Sequence, residues 1–153
     1  MGTQQAVDIA AALCREFEGF RSRPYICPAG YPTIGYGTVW KPDGTKVTMN
    51  DAPITKQIAD EWLISEIRTN YMIGTLAASP KLIAEPQKLG ALTSFVYNLG
   101  IGRYRASTLR KRVNDQDWHG AEKELMKWVN GGGKVLPGLV RRRKKEATYL
   151  VSK

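Results

Sequence analysis

The chain has little from which a disulfide scaffold, a metal centre or a membrane span could be made. Its 153 residues include two cysteines, Cys14 and Cys27, and one histidine, His119. Two cysteines are too few for a disulfide framework, and the usual metal-ligand spacings are absent. A mainly reduced, cytosolic start is therefore the expectation. His119 has no second histidine or thiol near it in sequence, which favours a structural role. No apolar run approaches the roughly 20 residues needed to span a bilayer. Met1 to Leu13 is interrupted by Gln4, Gln5 and Asp8, and reads as neither a signal peptide nor a membrane anchor.

Acidic residues are also scarce, and unevenly so. The 14 Asp/Glu face 23 Lys/Arg, for a net charge of +9. Residues 1–80 hold 7 Lys/Arg against 8 Asp/Glu, or −1, whereas residues 81–153 hold 16 against 6, or +10. Such asymmetry fits a polyanionic partner: nucleic acid, an anionic membrane or an anionic cell-wall polymer. No helix-turn-helix, ribonucleoprotein or zinc signature accompanies the charge, which argues against nucleic acid. The length suits one domain, 1–153, and 42% hydrophobic residues suffice for a core.

What is present centres on Phe17 to Thr38, F-E-G-F-R-S-R-P-Y-I-C-P-A-G-Y-P-T-I-G-Y-G-T. Ala6, Ile9, Ala10, Leu13, Phe17 and Phe20 recur at helical spacing, and the helix is expected to turn at Gly19. Glu18 falls one turn beyond Cys14 at the edge of this stripe. Partial burial there would raise its pKa and suit a general acid, whereas a glutamate at a helix end is ordinarily solvated. Cys27 follows nine residues later and Thr33 six after that. A carboxylic acid, a thiol and a hydroxyl converging where a helix meets a small sheet have the look of a catalytic floor.

Farther along, Tyr25-Ile26-Cys27 and Thr33 to Tyr36 are β-prone, and Asp43-Gly44 signals a hairpin within Lys41 to Thr45. Gly35 and Gly37 leave room beside Tyr36 for a substrate or another backbone. Helical period returns at Thr55 and describes one long helix through Leu76, uncertain beyond Asn70. Further helices are expected at Glu85 to Leu99, Ser107 to Asn114, Asp117 to Val129 and Leu139 to Val151, with Ser107 and Asp117 as N-caps. Asn130-Gly131-Gly132-Gly133 reads as a flexible stop. The whole is one small sheet inserted early in a helical domain, an α+β chain.

Glu18-Gly19, Tyr25, Pro28-Ala29-Gly30, Thr33 to Thr38, Asn98-Leu99-Gly100, Ser107-Thr108-Leu109, Trp128-Val129, Gly132-Gly133 and Pro137-Gly138-Leu139 with Arg142-Arg143 and Glu146 form an ordered series. This series resembles the phage-type lysozymes, endolysins of glycoside hydrolase family 24. The resemblance implies a small antiparallel β lobe, about 20–53, joined by a long helix to a mainly helical lobe formed by 1–19 and 54–153, with a cleft between them. It implies a cofactor-free, metal-free, monomeric enzyme hydrolysing the β-1,4 bond between N-acetylmuramic acid and N-acetylglucosamine in peptidoglycan. Such an enzyme is made in the host cytoplasm and needs a membrane lesion, a holin pore, to reach its substrate.

The family's catalytic set, a glutamate, an aspartate nine residues on and a threonine six beyond, falls on Glu18, Cys27 and Thr33. Cys27 stands where many relatives have Asp, although some also carry Cys. A free thiol with a pKa near 8.5 is mostly neutral at pH 7, so Cys27 is open to either role, nucleophile or water-positioner with Thr33, and to plain packing. The lack of a second carboxyl keeps a lytic transglycosylase, in which the substrate's own hydroxyl attacks, as the alternative. A Cys14–Cys27 disulfide that locks the site is also open. Asn98 is expected to bond an acetamido sugar and Tyr36 to line the cleft. In Arg141 to Lys145, Arg142 is expected to pair with an N-terminal acid such as Asp8 or Glu16, and the remainder to contact the anionic cell envelope.

Overall fold

The computed structural model describes residues 2–151; Met1, Ser152 and Lys153, the ends of the expected domain and of the Met1 to Leu13 segment, lie outside the described residues. The chain opens with α1 (Gly2–Glu18), which stops where Gly19 takes φ +74°. It then forms an antiparallel pair, β1 (Arg21–Ile26) and β2 (Pro32–Gly35). Tyr25 opposes Thr33 and Ile26 opposes Pro32, but Arg21 opposes Gly35, so the register slips between Arg21 and Tyr25. Pro24 lies in that slip and has no N–H to give to the ladder. Beyond it, the Lys41–Gly44 turn places Gly44 at φ +88°, and Asp43 Oδ1 accepts from the Thr45 amide at 2.9 Å. Trp40 then bridges Lys46 as the hairpin signal implies.

The long helix is present with one irregularity. The segment α2 (Lys56–Glu66), capped by Thr55 accepting from Ile58 N, runs through a π-helical turn at Ile67–Tyr71 into α3 (Met72–Ala78). A π turn inserts one extra residue and so re-aims the side chains beyond it. Here it brings the Tyr71 ring to 4.7 Å from that of Tyr97. A 3-10 turn at Pro80–Ala84 leads to α4 (Pro86–Leu99), α5 (Ile101–Arg105), α6 (Thr108–Asn114) and α7 (Trp118–Leu125). Ser107 and Asp117 cap α6 and α7, accepting from Arg110 N and Gly120 N.

Two expectations are corrected here. The helix expected through Val129 ends at Leu125. The glycine run is an ordered hairpin, not a flexible stop: β3 (Asn130–Gly131) pairs with β4 (Lys134–Val135) around Gly132 and Gly133, both at positive φ. Two consecutive positive-φ residues suit a tight hairpin turn. The chain closes with α8 (Pro137–Leu150), its Pro at the first helical turn, where a missing N–H costs nothing.

The core lies around α4, whose residues Leu89 to Val96 are all buried. Leu92, Phe95 and Val96 are fully buried, each side chain of this kind contributing about 1.5–3 kcal/mol. Against α4 lies the small-residue face of α1: Ala6, Val7, Ala10 and Ala11. The approach is so close that a Cβ on Gly90 would stand 2.8 Å from Ile9 Cβ and 2.9 Å from the Ala6 carbonyl oxygen. Backbone cannot yield as a flexible side chain can. Gly90→Ala is therefore expected to destabilise by about 1–3 kcal/mol despite its better helix propensity. Thermal unfolding checks this, with Gly102→Ala, where nothing stands nearby, as the comparison.

Candidate active site

Glu18 closes α1 at the junction of sheet and helices, about one quarter exposed. Its Oε2 accepts a 2.6 Å hydrogen bond from Arg142 Nη1 on α8. Its Oε1 lies on the other side, toward Gly37: a Cβ at that glycine would come within 3.4 Å of Oε1 and 3.5 Å of the Tyr97 hydroxyl. Gly37 also has φ +93°, so space and backbone both require glycine. Tyr97 donates to the Tyr36 carbonyl at 2.7 Å, and burial pushes its phenol well above the usual range, keeping it a neutral donor.

Arg142 is 3% exposed and its guanidinium is heavily engaged. Besides Glu18, it donates to Glu146 Oε2 at 3.3 Å and to the Ser94 carbonyl and hydroxyl at 3.2 Å each, and it reaches Cys14 Sγ at 3.6 Å. The N-terminal partner of Arg142 is thus Glu18, in place of Asp8 or Glu16. Glu16 pairs with the exposed Lys145, and Asp8 accepts from Gln4. The reason is helical geometry: residues 142, 143 and 146 face the core while 141, 144 and 145 face solvent.

Arg143 is fully buried beside Arg142. It donates to Asn98 Oδ1 at 2.7 Å and to Glu146 Oε2 at 3.3 Å. Its Nε also lies 2.9 Å from Glu146 Oε1, but its N–H is not aimed at that oxygen, so the contact is one of charge. Glu146 is wholly buried; burial pushes its carboxyl up, and Arg143 and Arg142 oppose the shift. Ser94 Oγ donates to it at 2.6 Å. One buried carboxylate thereby anchors two arginines, one gripping Glu18 and the other gripping Asn98.

Asn98 and Glu18 line the same open cavity of about 910 Å³, with Phe17, Leu136, Leu139 and Arg142. Because Oδ1 of Asn98 is held by Arg143, its NH2 group is turned away from that arginine. Cys27 and Thr33 are not among the residues of this cavity; Thr33 lies on β2 and Cys27 just beyond β1. Cys27 sits past the end of β1 in a turn closed by Cys27 N to Tyr31 O at 2.9 Å and Gly30 N to Cys27 O at 2.8 Å. Thr33 is buried on β2 and gives its one proton to the Tyr31 carbonyl at 2.9 Å. Hydrogen bonding with the Tyr31 backbone draws the Cys27 thiol below its usual value.

Tyr25 links the two sides. It opposes Thr33 in the sheet, and its phenol is pushed up by burial, lowered by Arg21, and raised again by the charges of both Glu18 and Cys27. Tyr36, expected at the cleft, turns its ring into the core, 7% exposed and 5.7 Å from Phe20, and presents its carbonyl to Tyr97. Both cysteines are free; burial drives Cys14 up to about 12, so it is an inert thiol against Arg142. His119 is exposed, and among the described residues no metal-binding cluster forms and no helix is long and apolar enough to cross a membrane. Sequence reasoning missed Tyr97 and Gly37 as neighbours of Glu18, and Arg143 and Glu146 as its support. The signal available was R-R-x-x-E, which puts both arginines within one turn of the acid.

A two-stranded sheet, a long connecting helix and a helical body with a carboxylate at their junction define a lysozyme-like α+β protein. The chain belongs to the phage lysozyme family, whose model matches residues 15–146. It is 34% identical over 144 residues to an endolysin of Acyrthosiphon pisum secondary endosymbiont phage 1, spanning 92% of this chain and 93% of that one. To a SAR-endolysin of bacteriophage PS119 it is 33% identical over 129 residues, 84% of this chain and 73% of the other. The solved endolysin from Escherichia coli O157:H7 phage FAHEc1 matches with a TM-score of 0.81 at 30% identity, covering 94% of this chain and 91% of that one. Membership of the family implies an enzyme that cleaves peptidoglycan.

Removing Glu146 leaves two buried guanidiniums without their shared countercharge, whereas Lys145 and Glu16 are each about half exposed. Glu146→Ala is expected to lose about 3–5 kcal/mol of stability. Lys145→Ala is expected to lose less than about 1 kcal/mol. Denaturant titration of both variants measures the contrast.

Proposed function

We propose that this chain is an endolysin that hydrolyses the β-1,4 bond between N-acetylmuramic acid and N-acetylglucosamine, with Glu18 as general acid and Cys27 and Thr33 supplying or guiding the nucleophile. The observation that carries this reading is Glu18 itself, sheltered at the junction of sheet and helices, gripped by Arg142 and open to a cavity of about 910 Å³. Arg142 occupies Oε2 of Glu18, so Oε1, on the Gly37 side, is the oxygen that would hold the proton for the glycosidic oxygen. Protonating the leaving oxygen while an oxocarbenium-like state forms is the usual acid role in glycoside cleavage.

Cys27 takes the place of a second carboxylate. It would either attack directly or position the attacking water together with Thr33, which is buried on β2 and donates to the Tyr31 carbonyl. Asn98, oriented by Arg143, offers its NH2 group toward a sugar acetamide carbonyl in the cavity shared with Glu18. Tyr36 contributes through its carbonyl, as the seat for Tyr97. The exposed Arg141, Lys144 and Lys145 give the envelope-facing side a positive field that salt should screen. The enzyme acts as a monomer, starts in the host cytoplasm and meets peptidoglycan through a holin lesion.

One observation favours the second reading. The motif holds a single carboxylate, Glu18, and a lytic transglycosylase needs only one because the muramic hydroxyl itself attacks. Product analysis separates the two: hydrolysis leaves reducing muramic ends and transglycosylation leaves anhydro ends, read directly by mass spectrometry.

Replacements test the roles. Glu18→Gln, with its fold retained, should lower lysis of permeabilised cells by roughly 10²–10⁴-fold, the contribution of a positioned general acid. Near-normal lysis would remove Glu18 from the chemistry. Cys27→Asp should keep far more activity than Cys27→Ser; full activity in Asp, Ser and Ala alike would make Cys27 packing alone.

A further inference from the structure

We propose that Glu66 is a positioning residue for the cleft, acting through Thr38 to hold the Thr33–Thr38 segment against the helical body. The inference rests on the reading of Glu18 as the acid of that cleft.

Glu66 is the last residue of α2, immediately before the π-helical turn. Its Oε1 accepts a 2.7 Å hydrogen bond from the Thr38 hydroxyl, and it takes part in no ion pair among the described residues. Thr38 is itself fully buried and exchanges both backbone hydrogen bonds with Ile34, at 2.9 and 3.0 Å. The segment is therefore a closed clip. Thr33 stands at one end, Gly37 abuts Glu18 Oε1 at the other, and Gly35 lies against Ala59 of α2, where an added Cβ would come within 3.2 Å. Two side-chain latches fasten this clip to the helices: Tyr97 on the Tyr36 carbonyl, and Glu66 on Thr38.

The Glu66 latch is sensitive to protons because nothing nearby balances its charge. The ionisable groups that feel Glu66 are Tyr71 from the π turn and Tyr97 from α4, both neutral phenols. The β2 side brings only the neutral Thr38. Arg142 is committed to Glu18 and Glu146, and Arg15 to Asp60. Burial pushes the Glu66 carboxyl up to about 7, with the Thr38 hydrogen bond opposing it. Below that pH a neutral acid seats the clip; above it, a buried carboxylate without a countercharge draws water into the lobe junction and loosens the clip.

The sign of the stability effect follows from proton counts. Between about 4.5 and about 7 the native state keeps a proton that the unfolded chain has released, so stability falls as pH rises through that window. Glu66→Gln, which keeps an acceptor for Thr38 without the charge, should melt like the parent at about pH 4.5 and above it at about pH 8.

The decisive measurement is kcat and KM on a soluble peptidoglycan fragment for the parent, Glu66→Gln and Glu66→Leu, from about pH 5 to about pH 8. The ratio of Glu66→Gln to parent kcat cancels the titration of Glu18 and Cys27, and it should rise several-fold across pH 7. Glu66→Leu, folded as judged by its melt, should lose kcat at every pH with KM little changed, and Thr38→Val should add no further loss to it. A ratio that stays flat, or parental kcat in Glu66→Leu, overturns the proposal. Glu18→Gln in the same assay separates the two failures. If it is inactive while the ratio is flat, only the role of Glu66 falls; if it is fully active, the acid assignment falls and the proposal with it.

Discussion

The buried cluster of Glu146, Arg142 and Arg143 is the constraint on which the cleft depends. A fully buried carboxylate is tolerable only with its charge met, and two guanidiniums one turn away on the same helix meet it. That requirement fixes the rotation of α8, because turning the helix would expose neither arginine without stranding Glu146. With α8 so fixed, the unused donors of the two arginines point outward to Glu18 and Asn98. The cleft's polar groups are thus held by side chains whose own positions are dictated from below. Arginine, with five donors in a planar fork, can serve a carboxylate on each side; a lysine's compact ammonium could not span the same partners.

Much of the architecture was legible because it rests on local physics. Gly19 ending α1, Ser107 and Asp117 capping α6 and α7, and the Asp43-Gly44 turn all depend on a few adjacent residues, and all lie where the residues indicate. What the sequence did not disclose depends on partners far along the chain. The π turn at Ile67–Tyr71 keeps the helical repeat of apolar residues, and the contact of Tyr71 with Tyr97 that accompanies it lies far along the chain. Asn130 to Gly133 looked like slack because glycine permits many conformations; pairing of Asn130 with Val135 selects one of them.

The site divides in the same way. The motif order gave Glu18, Cys27 and Thr33 as candidates; Glu18 is partly sheltered at the end of α1, whereas Thr33 is buried on β2. Spacing alone could not tell which arginines in the run from Arg141 to Lys145 turn inward. That depends on the phase of α8 relative to α1 and α4, a long-range quantity. Nor could spacing show that Tyr36 spends its ring on Phe20. Its aromatic neighbour lies across the Gly19 turn, and a cleft tyrosine and a core tyrosine look alike in a β-prone stretch flanked by glycines.

Three glutamates at this junction differ by how many cations they meet, and the difference sorts their chemistry. Glu146 faces two guanidiniums, and breaking that set is too costly for it to take part in a reaction. Glu18 meets one guanidinium through a single oxygen, leaving the other oxygen beside the open space over Gly37. Glu66 meets none, and burial pushes its carboxyl up to about 7 against the opposing Thr38 hydrogen bond. A group fully charged by its partners stabilises, and a group with no partner responds to pH. A group half-paired at a cavity is anchored by one oxygen and leaves the other open. Of the three, only Glu18 combines an anchored orientation with an accessible oxygen, the arrangement that the proposed acid role calls for.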